Sequence, residues 1–112
     1  MKKIEAVIRP FTLDEVRGAL TAAGVTAMTV NEVLGVGPRS AHRDSYRGLG
    51  YTRLMPGIKL EVAVPDCRAD HVVRIITTAA RTGHPGAGMI LVSQLDGATR
   101  VRTGEQGEAV LF

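Results

Sequence analysis

The chain has 112 residues, of which 45% are hydrophobic and 22% charged, with one cysteine and a formal net charge of +3. This length is enough for one domain with one core, which needs neither disulfides nor a structural metal. A single cysteine excludes an internal disulfide framework, and no apolar run approaches the ~20 residues of a membrane span. The N-terminus lacks the apolar stretch of a signal peptide. We therefore expect one cytoplasmic domain over residues 1–112.

The basic excess of the chain is local. Residues 37–57 contain four arginines and one aspartate, a balance of +3 that equals the net charge of the whole chain. The sequence pI of about 9.5 therefore reflects one segment. Such a segment indicates a contact surface for an anionic partner, without specifying nucleic acid. The arginines are Arg39, Arg43, Arg47 and Arg53.

The first half of the chain predicts a strand, a helix and a second strand. The apolar residues Ile4, Ala6 and Ile8 alternate with the charged residues Lys3, Glu5 and Arg9, which is the period of a half-buried strand. Thr12 and Glu15 have the spacing of a capping box, and Gly24 occupies a position where a helix C-terminus favours glycine. Residues 28–36 are predicted to form the second strand.

The segment 37–57 joins the two halves and shows no sustained periodicity. A structureless connection of ~20 residues is uncommon in a small domain and is usually functional or disordered. We expect a mobile arm that becomes ordered on a partner, although a disordered loop without a partner is the alternative. The expected contact residues are Arg43, Tyr46, Arg47, Tyr51 and Arg53.

The second half repeats the first. Residues 60–64 match the pattern of residues 4–8 at an offset of 56 residues, Asp66 is the predicted helix N-cap, and Gly83 follows the helix. Residues 89–92 form a short apolar strand. A duplicated βαβ unit predicts an α+β fold, a ferredoxin-like double βαβ sandwich with an antiparallel sheet. Both helices would cover one sheet face, so we expect other subunits to cover the second face.

Two segments have the composition of a phosphate site. Three glycines in residues 82–89 would let backbone N–H groups approach a phosphate, although Met89 stands where a Walker A loop needs lysine. Arg100 and Arg102 would point to one side of an extended segment, where two guanidinium groups suit a di- or triphosphate. A simple turn and a solvated edge strand are the alternative interpretations, and the sequence leaves them open.

Nothing in the sequence predicts catalysis or a metal site. The three histidines lack metal-ligand spacing, Cys67 has no reactive motif around it, and no nucleophile or paired-carboxylate motif occurs. The histidines are His42, His71 and His84.

Several segments together resemble the P-II nitrogen regulatory proteins. The likeness runs in register over nearly the whole chain, with a small deletion before Gly57. It includes MKKIEAVIRPF at residues 1–11 and RVRTGE at residues 100–105. The other matching segments are residues 13–17, 28–33, 35–37, 46–51 and 59–61.

The resemblance implies a homotrimer that binds an adenine nucleotide between subunits. Residues 37–57 would be the T-loop, which engages a transporter or a metabolic enzyme, and Tyr51 matches a tyrosine that some members have uridylylated. Residues 82–89 would be the B-loop, and Arg100 and Arg102, in the C-terminal segment 100–112, would hold phosphates of the nucleotide in the neighbouring cleft. The other residues expected at the nucleotide are Thr29, Gly35, Val36, Gly37, Gly86, Ala87 and Gly88.

Departures from the family pattern change the expected ligand. Arg39 and Gly57 stand where members keep a glutamine and a lysine that support magnesium and 2-oxoglutarate, so we expect that sensing to be lost. Ala87 and Met89 replace an aspartate and a lysine, and the lysine touches phosphates. ADP or AMP is therefore expected to bind better than ATP. Leu49 and Gly50 alter the tyrosine motif, which argues against uridylylation.

Other functions fit the same fold. A ferredoxin-like accessory protein without nucleotide sensing, acting in metal efflux or carbon uptake, is the main alternative. An RNA-binding module would need exposed aromatic residues on the sheet, and none of the four aromatic residues lies in a predicted strand. A small phosphatase would need a positioned nucleophile. We expect a cytoplasmic regulator that is recruited to the inner face of the membrane when its partner is a transporter.

Overall fold

The computed structural model describes residues 1–36, 43–46, 49–52, 54–84 and 86–111. At residues 43–46 and 49–52 it describes the backbone alone. These residues form six strands and two α-helices, with 3-10 turns at Pro10–Thr12 and Glu108–Leu111. The elements are β1 (Lys2–Ile8), α1 (Leu13–Ala22), β2 (Thr29–Gly35), β3 (Arg43–Tyr46), β4 (Leu49–Thr52), β5 (Met55–Val64), α2 (Asp66–Ala80) and β6 (Gly88–Gln94).

Four strands form one antiparallel sheet in the order β2-β5-β1-β6. β1 and β5, the equivalent strands of the two repeated halves, lie side by side at the centre of the sheet. There Ile4 pairs with Val62 and Ala6 pairs with Leu60. Both helices follow these central strands and pack on the same face of the sheet. The predicted α+β fold of the ferredoxin-like type is therefore confirmed.

One face of each central strand is buried beneath the helices. Ile4 and Leu60 are fully buried, and the alternating positions of β1 and β5 lie with them in one core. The helices contribute side chains spaced three or four residues apart, as expected for one helical face. These are Val16 and Leu20 from α1, and Ala69, Val72, Ile76 and Ala80 from α2.

The end of α1 is a Schellman motif, as the position of Gly24 predicted. Gly24 has φ +86°, and its N–H donates to Thr21 O at 3.0 Å while the N–H of Val25 donates to Leu20 O at 2.9 Å. Arg68, in the first turn of α2, donates from Nη2 to Ala23 O at 2.6 Å. This bond joins the end of α1 to the beginning of α2.

Two predicted helix caps are wrong in their hydrogen bonds. Thr12 is the N-cap residue of α1, but its hydroxyl donates to Arg9 O at 2.7 Å because Pro10 begins a 3-10 turn there. Pro65, not Asp66, is the N-cap of α2. Asp66 is the first helical residue, and its carboxylate accepts from the N-terminal ammonium group of Met1 at 2.9 Å.

The expectation of a structureless segment from residue 37 to residue 57 is also wrong in part. β3 and β4 pair with each other as a separate two-stranded sheet, with Arg43 opposite Thr52 and Tyr46 opposite Leu49. Met55 and Pro56 belong to β5, where they pair with Gly35 and Leu34 of β2. Each of these two strands has four residues, the shortest length at which alternation can be recognised, and neither is an apolar run.

No helix in the described part of the chain is long and apolar enough to cross a membrane.

We predict that Gly88→Ala destabilises the protein by about 2–4 kcal/mol. Gly88 has φ +132°, and a Cβ there would collide with the carbonyl oxygen of Val7 and approach Ile8 Cα to 3.2 Å. Gly35→Ala is the matched control because a Cβ at Gly35 meets no atom within 4 Å. Urea unfolding of both variants at equal concentration checks this, and equal losses of stability would contradict the collision.

Candidate site at the end of the sheet

Two segments that the sequence analysis singled out lie at the same end of the sheet. Glu32, Ile58, Ile8 and Gly88 form one row of paired residues across the four strands. Because the strands are antiparallel, β1 and β2 end where β5 and β6 begin. The end of β2 and the glycine-rich turn before β6 therefore lie at the same end of the sheet.

The glycine-rich turn exposes backbone at one glycine and packs tightly at another. Gly83 and Gly86 have φ +79° and +86°, and a Cβ on Gly86 would meet no atom within 4 Å. The N–H of His84 donates to Thr82 Oγ1 at 3.2 Å, which fixes the beginning of the turn. Gly88 instead touches the backbone of β1. Gly86 is therefore open to a ligand, whereas Gly88 is required by packing.

The backbone at the end of β2, just before the segment 37–57, is also open. Gly35 is the last residue of β2 and Val36 follows it, 57% exposed. A Cβ added to Gly35 would meet no atom within 4 Å. Ala87 is half-buried within the glycine-rich turn. Gly37, the remaining residue expected here, lies outside the described residues.

Thr29 does not lie at this end of the sheet within one subunit. It pairs with Glu61 at the beginning of β2, three residues before the row that contains Gly88. Three residues of strand span roughly 10 Å, and three strand spacings add about 14 Å across the sheet. Thr29 and the glycine-rich turn are therefore separated across the sheet within one subunit.

Arg100 and Arg102 lie in a turn, so the predicted extended segment is wrong. The N–H of Arg100 donates to Glu105 O and the N–H of Gly104 donates to Arg100 O, both at 2.8 Å. Thr99 pairs with Gln106 across the turn, and Gly104 has the positive φ of +74° that lets the chain reverse. The sequence pattern missed this turn because a tight reversal leaves no periodicity.

The two arginines differ in their surroundings. Arg100 Nη1 lies 3.2 Å from Glu105 Oε1, while Arg102 is exposed. The chain reaches them after leaving β6 at its far end, where the N–H of Leu95 donates to Met1 O at 3.0 Å. That end is opposite to the glycine-rich turn.

A neutral cluster of four charges lies on the open face of the sheet, opposite the helices. Lys3 Nζ lies 2.7 Å from Glu5 Oε1, Lys59 Nζ lies 3.7 Å from Glu5 Oε2, and the same Lys59 Nζ is 3.4 Å from Glu61 Oε1. Glu5 and Glu61 are directly opposite each other, an arrangement that repels unless cations lie between them. The hydrogen bond from Lys3 lowers the pKa of Glu5.

An uncharged strip borders this cluster at the site end of the sheet. Met89 pairs with Val7 and is 62% exposed. A Cβ at Gly57 would lie 3.6 Å from both Val7 Cγ1 and Val33 Cγ2, which is ordinary contact. The two positions where the family resemblance implies lysine therefore lie near each other, with Val7 between them.

The remaining predicted residues are placed only in part. Arg43 and Tyr46 belong to β3 and Tyr51 to β4, so two aromatic residues lie in strands, contrary to expectation, but outside the four-stranded sheet. Arg39, Arg47 and Arg53 lie outside the described residues. Within the part of the chain that is described, no group of three His, Cys, Asp or Glu residues could hold a metal ion.

Comparison with known proteins identifies the family. The family model described as "Nitrogen regulatory protein P-II" matches residues 1–105. The chain belongs to the P-II nitrogen regulatory protein family. It is 47% identical to the P-II protein of Cereibacter sphaeroides over 109 residues, which cover 96% of this chain and 97% of the relative. The P-II protein of Microchaete diplosiphon is 48% identical over 112 residues, covering 98% and 100%.

Membership confirms the resemblance found in the sequence. The P-II protein of a Synechocystis species is also 47% identical, over 95% of this chain and 96% of its own length. The family name describes regulatory proteins, and the fold found here agrees with it. The match ends at residue 105, so it includes the glycine-rich turn and both Arg100 and Arg102.

We predict that the charge cluster makes this P-II protein lose stability in acid. The folded-state pKa of Glu5 is lowered, so the folded state binds its proton less readily than the unfolded state does. This stabilisation is present above the unfolded pKa of about 4.3 and is lost as the pH falls through the folded value. Glu5→Gln should show a smaller fall in its unfolding midpoint between about pH 5 and pH 3.

Asp66 is a second carboxylate on which the same measurement can be made. Its pKa is also lowered, chiefly by the hydrogen bond from the N-terminal ammonium group, so it contributes in the same direction. Asp66→Asn should reduce the acid dependence separately from Glu5→Gln. A midpoint of Glu5→Gln that follows the wild-type pH profile would show that the cluster does not contribute.

Proposed function

We propose that this P-II family member is a signal transducer that binds an adenine nucleotide at the site end of the sheet. The supporting observation is that the end of β2 and the glycine-rich turn lie at the same end of the sheet, on its two edge strands, with open backbone at Gly35 and Gly86. Exposed N–H groups at positive-φ glycines are suited to phosphate oxygens. The protein acts as a regulator and catalyses no reaction in this proposal.

The proposed site lies between subunits of a homotrimer. Thr29 is about 14 Å across the sheet from the glycine-rich turn, and Arg102 follows the far end of β6. A neighbouring subunit would bring its own Thr29, Arg100 and Arg102 to the open backbone. The open sheet face, with its neutral charge cluster and exposed Met89 and Leu91, is the surface that we assign to the trimer.

The ligand is proposed to be ADP or AMP in preference to ATP. Met89 leaves an uncharged side chain at the site end of the sheet, where the resemblance implies a lysine that touches phosphates. Losing one charge-assisted hydrogen bond costs about 1.5–3 kcal/mol, or roughly ten- to a hundredfold in affinity. A shorter phosphate chain has less to lose from this change. Magnesium and 2-oxoglutarate are not ligands in this proposal, because of Arg39 and Gly57.

The output of the proposed switch is the segment 37–57. It begins after β2 and returns in β5, so its base adjoins the proposed nucleotide. A ligand that favours one arrangement of this segment changes the affinity of the protein for its partner. The partner then changes the affinity of the protein for the ligand by the same factor. The partner is a membrane transporter or a metabolic enzyme, which Arg43, Tyr46, Arg47, Tyr51 and Arg53 would contact from the cytoplasm. No nucleic acid is involved.

Calorimetric titration of the purified protein with ATP, ADP and AMP tests the input. We predict micromolar binding that is strongest for ADP or AMP and that weakens about ten- to a hundredfold in Arg102→Ala, because one charge-assisted contact is lost. Arg17→Ala is the control, since Arg17 is an exposed arginine on α1. Arg100→Ala can be measured in the same way. Glu105→Gln is its control, because this variant removes the ion pair with Arg100 and leaves the guanidinium group of Arg100 in place.

The outcomes distinguish two functions. Equal binding by wild-type protein and Arg102→Ala would contradict the placement of that arginine. No binding by any nucleotide would favour an accessory protein without nucleotide sensing, for which the uncharged strip of Val7, Val33 and Met89 is the specific support.

A second titration tests the loss of 2-oxoglutarate sensing. We predict no 2-oxoglutarate binding by the wild-type protein with MgATP, and binding by Arg39→Gln/Gly57→Lys, which restores the residues that the resemblance implies. A side chain at Gly57 fits, since its Cβ would make only contacts of 3.5–3.6 Å. Gly57→Met is the uncharged control. Tight binding of 2-oxoglutarate by the wild-type protein would overturn this part of the proposal.

A further inference from the structure

A groove between the two helices lies on the face of the molecule opposite the open sheet face. Its volume is about 620 Å³. The apolar side chains along it are small or half-buried, and charged or polar side chains flank them. The lining residues are Glu15 and Ala19 from α1, and His71, Arg74, Ile75, Thr78 and Ala79 from α2.

The helices that form the groove are antiparallel. α1 follows β1 and α2 follows β5, two strands that run in opposite directions, and the bond from Arg68 to Ala23 O joins the beginning of α2 to the end of α1. Glu15, in the first turn of α1, therefore lies toward the later part of α2. Counting about 1.5 Å per residue from that bond places Arg74, on the opposite wall, within one turn of the level of Glu15.

The two walls have opposite charges. Glu15 is exposed on the α1 wall, and Arg74 is exposed on the α2 wall with His71 beside it. Within the described part of the chain, neither the Glu15 carboxylate nor the Arg74 guanidinium takes part in an ion pair. A surface with a carboxylate on one side of an apolar floor and a guanidinium on the other is complementary to itself.

We infer that a second copy of this chain packs on this groove. A two-fold axis along the groove would place each α1 over the α2 of the other copy, so that Glu15 faces Arg74 twice. Ala19, Ile75 and Ala79 of both copies would form the centre of a four-helix arrangement, where small side chains let helices approach closely. His71 lies beside Arg74 on the same wall.

This contact is separate from the proposed trimer. It uses the helix face, whereas the trimer is assigned to the open sheet face, so each can form without the other. Two partly solvated ion pairs and a few small apolar side chains make a weak contact. We therefore expect this contact to form only at high protein concentration, in addition to the assembly already present at low concentration, and to weaken as the salt concentration rises.

Sedimentation equilibrium of the full chain from about 10 μM to 1 mM is the test. The wild-type mass should rise with concentration, and Arg74→Glu and Glu15→Arg should each weaken the association roughly tenfold or more by placing like charges together. The double variant Glu15→Arg/Arg74→Glu should restore it. Arg17→Glu, a charge reversal on α1 outside the groove, should leave it unchanged.

A constant wild-type mass, or a double variant that fails to restore association, would overturn the inference. The mass at the lowest concentration shows whether the protein is a trimer. A failure of the trimer proposal is therefore distinguished from a failure of this inference, which concerns the increase in mass with concentration. Because reversed charges can perturb folding, a disulfide test is added. Ala19→Cys chains mixed with His71→Cys chains, both in a Cys67→Ser background, should form a disulfide between copies on mild oxidation, while Asp14→Cys, whose native side chain is 98% exposed, should form none with His71→Cys. Equal cross-linking of both variants would also overturn it.

Discussion

The antiparallel pairing of β1 with β5 determines where the other elements lie. Ile4 opposite Val62 and Ala6 opposite Leu60 bring two equivalent alternations into one register, and both strands bury the same face. A slip of one residue would move the buried set to the other face. Since α1 and α2 both begin where these strands end, the register also sets the antiparallel direction of the helices and the core between them.

The same pairing creates the site end of the sheet. Once β1 and β5 are central, β2 and β6 can only join at the edges, and the turn before β6 then lies at the same end of the sheet as the segment that leaves β2. The collision at Gly88 shows how close the β1 and β6 backbones lie. The position of the open glycine backbone at Gly86, two residues from this contact, is therefore a consequence of the topology.

Three surfaces of the molecule have different chemistry. The open sheet face combines the charge cluster around Glu5 with exposed apolar side chains, which suits subunits that assemble permanently. The helix face has a groove with separated charges, which suits weaker association. The β3–β4 pair lies between β2 and β5 in the chain and belongs to the segment that holds four of the eleven arginines. In the proposed function, assembly, nucleotide binding and partner contact would each use a different one of these surfaces.

The sequence by itself determined the duplicated βαβ fold, the face of each helix and the family, because burial imposes a period of two or of 3.6 on the residues and the family motifs run through the whole chain. It also located the glycine-rich turn. Only the tertiary structure decided that Gly88 is required by packing, that Arg100 and Arg102 lie in a turn, and that Glu15 and Arg74 face each other across a groove. Those facts depend on distances between elements far apart in the chain, and no local pattern encodes them.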